Sequence, residues 1–153
     1  MEKAIIRKAG VFDLFNLSKI VVDDRNQFDN PMFVKGQKPI YTTWGGLKPF
    51  VKFFIHLIHP KKQVIFLQVD SKIAGVSVIN ANLIEGFFVN KEYRHKGFGK
   101  MLMEKTVEEI LKNYKIVRVG LRVDNMDAKI FYEKFGFKEN EIMAKAQTIE
   151  MER

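Results

Sequence analysis

Glu85-Gly-Phe-Phe-Val-Asn-Lys-Glu-Tyr-Arg-His-Lys-Gly-Phe-Gly-Lys100 is the stretch on which the reading of this chain turns. An apolar strand, Leu83 to Val89, runs into the charged turn Asn90-Lys91-Glu92-Tyr93, and two glycines then open a helix near Phe98. The first N–H groups of a helix have no partner within it, and its N-terminus carries partial positive charge. Gly97 and Gly99 let the backbone approach a ligand closely, and Arg94, Lys96 and Lys100 add formal charge. Together these features describe an anion site able to hold a pyrophosphate.

Two nucleotide motifs built on the same physics fit poorly. The P-loop spacing is absent, and a dinucleotide fingerprint fails at its third glycine, where Leu102 stands. What is left, Arg94-x-x-Gly97-x-Gly99 behind a strand, resembles the acetyl-CoA-binding motif of the GNAT superfamily of N-acetyltransferases. Taken alone, the pattern equally describes a solvated turn with basic residues beside glycines.

Upstream, Ala4 to Lys8 reads as a short strand and Val11 to Val22 as a helix with an apolar stripe of Phe12, Phe15, Ile20 and the Leu14–Leu17 pair. Residues 23–62 are broken by Pro31, Gly36, Pro39 and Gly45-Gly46, yet dense in aromatics from Phe28 to Phe54. Within them, Leu47 to Ile58 is expected to be a helix packed on the sheet or forming a wall of a substrate pocket. Gln63 to Val69 and Ile73 to Asn80 form a hairpin around Asp70-Ser71-Lys72.

Downstream, Phe98 to Tyr114 reads as a long helix burying Met103, Val107, Ile110, Leu111 and Tyr114, with Glu104, Glu108 and Lys112 outside. Ile116 to Val123 should lie parallel to Leu83–Val89 through a right-handed crossover. Asn125 is a good N-cap for a helix carrying Ala128, Phe131, Tyr132 and Phe135 on one face and stopping at Gly136. Phe137 to Glu139 and Met143 to Met151 supply the last strands.

Composition bounds the answer. A chain of 153 residues, 46% hydrophobic and 29% charged, suits a single domain over 1–153 with its own core. Cysteine is absent, which removes disulfides and thiolate chemistry. The N-terminus has no signal-peptide core, and no apolar run approaches the roughly 18 residues of a membrane span, so a cytoplasmic protein is expected. The net charge of +8 suits a phosphate-rich cofactor, but the basic residues are dispersed and no nucleic-acid recognition motif is present. His56, His59 and His95 lack the company a metal site needs, so no metal is expected.

The element order β-α-(α)-β-β-β-α-β-α-β-β is similar to the GNAT arrangement over nearly the whole chain. A second signature, Asn125-Met-Asp-Ala-Lys-Ile-Phe-Tyr-Glu-Lys-Phe-Gly-Phe137, follows the first in the family's order. The resemblance implies an α/β fold with a mixed, mostly antiparallel sheet of about six or seven strands flanked by helices. It also implies a parallel strand pair around the acetyl-CoA site. By matching position, backbone groups of Phe87, Phe88 and Val89 would hold the pantetheine arm, and the Val89 N–H would polarise the thioester carbonyl. Arg94 would stand at the family's Arg/Gln position. The amides of His95, Lys96, Gly97, Phe98, Gly99 and Lys100 would hold the pyrophosphate, and Asn125 would contact the cofactor arm. Tyr132 would protonate the departing thiolate, and Glu85 would take the acceptor's proton. Read without the resemblance, Tyr132 is a core residue and Glu85 a carboxylate at a strand bulge paired with a lysine.

The expected function is acetyl-CoA-dependent acetylation of a primary amine by direct transfer in a ternary complex, with acetyl-CoA as cosubstrate. The alternative is a CoA-binding regulatory module without turnover. The acceptor, a small-molecule or protein amine, is left open, although the net positive charge argues mildly against a polycation. Oligomeric state is open as well, with a homodimer common in the family.

Overall fold

The computed structural model describes residues 3–10, 13, 59–122, 125–145 and 148–153, so the expected helices Val11–Val22, apart from Asp13, and Leu47–Ile58 lie outside the described residues. One sheet contains β1 (Ala4–Lys8), β2 (Lys62–Val69), β3 (Lys72–Asn80), β4 (Leu83–Val89), β5 (Arg118–Arg122), β6 (Lys138–Lys145) and β7 (Thr148–Glu152). Their spatial order is β1-β2-β3-β4-β5-β7-β6. Every neighbouring pair is antiparallel except β4 and β5, which are parallel. Helix α1 (Phe98–Leu111) makes the crossover between that pair, and α2 (Met126–Glu133) follows β5. This is the mixed sheet with a parallel pair that the sequence implies.

The β2–β3 hairpin closes on a two-residue turn in which Asp70 and Ser71 have φ of 47° and 67°. Such a turn matches the right-handed twist of the strands it joins. β2 buries both faces. Ile65, Leu67 and Val69 pack in the core that includes Leu102, Met103, Val107 and Ile110 of α1, while Val64 and Phe66 join Val76 on the other face. That double burial explains why β2 reads as a continuous apolar run. Gly75 lets α1 lie close: a Cβ there would sit 2.8 Å from the Phe88 carbonyl oxygen and 3.1 Å from Leu102.

The boundaries differ from the sequence reading in three places. α1 ends at Leu111, which is exposed, and the buried stripe instead includes Phe98, Leu102 and Thr106. β5 is shorter than expected, with Ile116 exposed ahead of it. The last two strands are Lys138–Lys145 and Thr148–Glu152, so the first of them runs on well past Glu139, where the sequence reading ends it. β6 is the outer strand of the sheet, where a polar run is compatible with strand structure.

Two ion pairs tie the first strand to its surroundings. Arg7 meets Asp13 through two hydrogen bonds of 2.7 Å. On α1, the buried Glu109 carboxylate meets Lys8 of β1 at 2.7 Å, Lys112 at 2.5 Å and Lys105 at 3.4 Å. Hydrogen bonds from Lys112 and then Lys8 outweigh its burial and hold its pKa down at about 2. Among the described residues no helix is long and apolar enough to cross a membrane.

Candidate active site

The parallel pair opens into a fork. β4 and β5 are matched at only two rows, Leu83 with Arg118 and Ile84 with Val119. Beyond them β4 continues along β3 as far as Val89, while β5 continues along β7. The divergence coincides with a bulge: Val78 pairs with Gly86 and Ile79 with Ile84, leaving Glu85 as the extra residue of β4. A bulge bends its strand and re-aims a side chain.

At the far end of β4 the chain is turned by short, local bonds. The Asn90 N–H donates to the Ala74 carbonyl at 2.8 Å, and Arg94 Nε donates to the Val89 carbonyl at 2.9 Å. His95 and Gly97 take φ of 60° and 84°. Gly97 is the N-cap of α1, and no side chain caps that end. The first turn holds no acidic residue, and Arg94, His95, Lys96 and Lys100 are all exposed around it. Phe98 anchors the turn by burying its ring at 6.0 Å from that of Tyr93. The loop therefore presents uncapped amides and cations together, the requirements of a phosphate cradle.

α2 forms the other wall. Asn125 caps it, its Oδ1 accepting the Ala128 N–H at 3.2 Å, so that oxygen is committed to the helix. Its end is set by Gly136, whose φ of 83° suits glycine. The Phe131 ring lies 5.6 Å from Phe87 of β4 and 5.6 Å from Tyr132. Tyr132 in turn lies 5.6 Å from Phe137 and is buried. Burial pushes its phenol pKa well above the ordinary value, so the hydroxyl keeps its proton throughout the neutral range. A Cβ placed on Gly99 would lie 3.6 Å from Phe131 and 3.7 Å from Val89. Phe87, Val89, Gly99, Phe131 and Tyr132 thus converge beside α1.

Glu85 belongs to a different group. Its Oε1 accepts a hydrogen bond from Asn80 Nδ2 at 2.7 Å, and its Oε2 lies 3.8 Å from Lys62 Nζ. Lys62 alternates in step with Val64 and Phe66, which places it on the sheet face away from α1. Glu85 and Tyr132 therefore address the fork from opposite faces. Phe88 pairs with Val76, on the same face as Lys62. Glu85 thus sits at a bulge beside a lysine, one of its two sequence readings. That the lysine is Lys62 and that Asn80 joins it escapes sequence reasoning, since only the register of three strands brings them there. His59 accepts the Lys61 N–H at Nδ1 as part of a turn, and His56 lies outside the described residues. Among the described residues no group of three His, Cys, Asp or Glu side chains could hold a metal ion.

Similarity to known proteins agrees with this geometry. A probable spermine N(1)-acetyltransferase of Bacillus subtilis subsp. natto (strain BEST195) is 32% identical over 59 residues, 37% of this chain and 39% of the relative. A spermine/spermidine N(1)-acetyltransferase of Bacillus subtilis (strain 168) is 30% identical over the same shares. The matched segments thus span about two fifths of those curated relatives. The PaiA N-acetyltransferase of Thermoplasma acidophilum, solved in complex with coenzyme A, shares the fold with a TM-score of 0.78 and 20% identity, covering 99% of this chain and 98% of that one. Residues 50–151 match the family model described as acetyltransferase (GNAT) domain, and the chain belongs to the GNAT family of acetyltransferases.

Proposed function

We infer that this chain is an acetyl-CoA-dependent N-acetyltransferase acting on a primary amine by direct transfer within a ternary complex. The observation that carries the reading is the fork, where β4 parts from β5 after Ile84 and leads to an uncapped, cation-rich helix start. Acetyl-CoA is the cosubstrate, and it supplies an activated acyl thioester. The amides from His95 to Lys100 hold its pyrophosphate, while Arg94 fixes the loop to the end of β4 through the Val89 carbonyl. Backbone groups of Phe87, Phe88 and Val89 hold the pantetheine arm, and Asn125 contacts it with the amide nitrogen that the cap leaves over.

An alkyl ammonium has a pKa near 10.4, so at neutral pH the acceptor must lose a proton before it attacks. Glu85 takes that proton, directly or through water. The Val89 N–H stabilises the oxygen that gains charge as the amine attacks. Tyr132, protonated throughout the neutral range, gives its proton to the departing sulfur. Glu85 and Tyr132 on opposite faces suit direct transfer, because separate groups then serve the amine that adds to the carbonyl carbon and the thiolate that leaves the tetrahedral intermediate. The absence of cysteine removes a Cys-linked acetyl-enzyme.

The names of the Bacillus relatives make an alkyl polyamine the first acceptor to test. The deciding experiment incubates the protein with acetyl-CoA and a panel of amines and follows CoA release. Release that depends on an amine is expected. Acetyl-CoA binding without release would leave a regulatory module, and no binding would overturn the reading.

A further inference from the structure

Among the partners of the carboxylate at the bulge, Asn80 and Lys62 are unequal. Asn80 and Lys62 face each other across β3 and β2, and Asn80 also pairs with Leu83 of β4, so three strands deliver one row of polar groups to Glu85. Asn80 is neutral and close, donating to Oε1 at 2.7 Å. Lys62 is charged and more distant, at 3.8 Å from Oε2. That separation exceeds hydrogen-bond length, and both side chains are partly exposed, at 21% for Lys62 and 30% for Glu85. A partly exposed pair at this separation contributes little.

We propose that Asn80 is the positioning residue of Glu85, and that Lys62 holds at Oε2 the place that the acceptor's ammonium takes. The acceptor class is then an alkylamine that arrives as a cation. The proposal rests on the reading of Glu85 as proton acceptor and deepens it. The bulge aims the carboxylate, Asn80 holds one oxygen at hydrogen-bond distance, and the other oxygen faces the Lys62 cation. Lys62 keeps that oxygen paired until the acceptor displaces it. The incoming ammonium meets the same oxygen that is to receive its proton, so binding and deprotonation use one contact. An arylamine, neutral at pH 7, gains nothing from this exchange.

The test uses steady-state kinetics on the full chain with saturating acetyl-CoA. The probes are spermidine, 1,3-diaminopropane and Nα-acetyl-lysine amide as cationic alkylamines, with an arylamine as the neutral comparison. Lys62→Met removes the internal cation and should lower KM for the alkylamines several-fold while leaving KM for the arylamine unchanged. Asn80→Ala should lower kcat for the alkylamines about tenfold with acetyl-CoA affinity retained, and Asn80→Gln, which restores an amide donor, should recover part of the loss. In a Glu85→Gln background Asn80→Ala should have no further effect, because residues acting through one group are not additive. If Asn80→Ala does not fold, Asn80→Ser takes its place in the same cycle.

A raised alkylamine KM in Lys62→Met, or additive losses in the double variant, overturns the proposal. Turnover of the arylamine with none of the alkylamines overturns the acceptor class. If Glu85→Gln alone leaves kcat/KM unchanged, the reading of Glu85 falls and this proposal with it. A slow Glu85→Gln beside an unimpaired Asn80→Ala removes only the role of Asn80.

Discussion

Phe87 of β4 and Phe131 of α2 meet with their ring centroids 5.6 Å apart and their planes inclined by 33°. The contact spans the fork, tying the strand that leaves β5 to the helix that carries Tyr132. Phe131 also touches Tyr132 and Phe135, with centroids at 5.6 Å and 5.0 Å. Phe131→Ala should lower stability by about 2–3 kcal/mol, at or below the lower end of the roughly 3–5 kcal/mol for buried Phe truncations, because the ring is only half-buried. Denaturant unfolding measures this loss. Because the same ring fixes the position of Tyr132, kcat should fall as well in the folded fraction.

Gly99 separates the cofactor contribution from the fold. A Cβ there makes only ordinary contacts, at 3.6 Å and beyond, so a side chain can be accommodated. Gly99→Glu adds an anion to the first turn of α1, beside the uncapped amides. Acetyl-CoA affinity should drop at least about tenfold, or 1.4 kcal/mol, in a protein that still unfolds cooperatively. Calorimetric titration showing undiminished affinity would put the pyrophosphate elsewhere.

Tyr132→Phe keeps the ring between Phe131 and Phe137 and removes only the hydroxyl. Stability and acetyl-CoA binding should hardly change, while kcat should fall roughly 10²-fold, the lower bound for a lost general acid. Single-turnover measurements isolate the chemical step. Because burial raises the phenol pKa, the wild-type rate should show no decline from Tyr132 ionisation through pH 9. An unchanged rate in the variant would make Tyr132 a core residue alone.

Glu109 makes a prediction about acid stability. Its folded pKa is depressed to about 2 from 4.5 by Lys112 and Lys8. A depressed carboxyl stabilises the fold fully above its unfolded pKa, and the contribution is lost as pH falls through the folded value. The wild type should therefore lose on the order of 3 kcal/mol between pH 5 and pH 2 through this group. Glu109→Gln should be less stable at pH 7 and approach the wild type near pH 2. Urea midpoints recorded across that interval check the convergence.

How much of this was legible in the sequence depended on whether a feature was local. Val89 through Gly99 carry their own signals, apolar strand, turn and glycines, and the loop was readable in full. Asn125 and Gly136 marked both ends of α2 for the same reason. The bulge at Glu85 is one of two readings the sequence offers; its register is not legible, because it exists only as a mismatch between β3 and β4, and one strand does not encode its partner's register. Which lysine meets Glu85, and that Asn80 joins it, escapes the sequence on the same ground. The break before the last strand is expected after Glu139, whereas β6 runs on through Asn140 to Lys145, as a polar run can on an outer strand.

Glu85→Gln tests the step on which the proposed chemistry depends. The carboxylate is half-buried and hydrogen-bonded to Asn80, so an amide of the same shape can keep the bulge in place. Folding and acetyl-CoA affinity should persist. Transfer should slow, by roughly 10²-fold or more if Glu85 acts alone and by less if water shares the task. The loss should be largest at neutral pH, where the ammonium form of an alkylamine outnumbers the free amine by about 10³. As pH rises toward the amine's own pKa, solvent supplies the free base and the variant should recover relative to the wild type. The paired pH profiles of kcat/KM therefore decide the matter. Profiles that stay parallel at a constant deficit would mean that Glu85 orders the bulge without handling the proton, and profiles that coincide would remove it from the reaction.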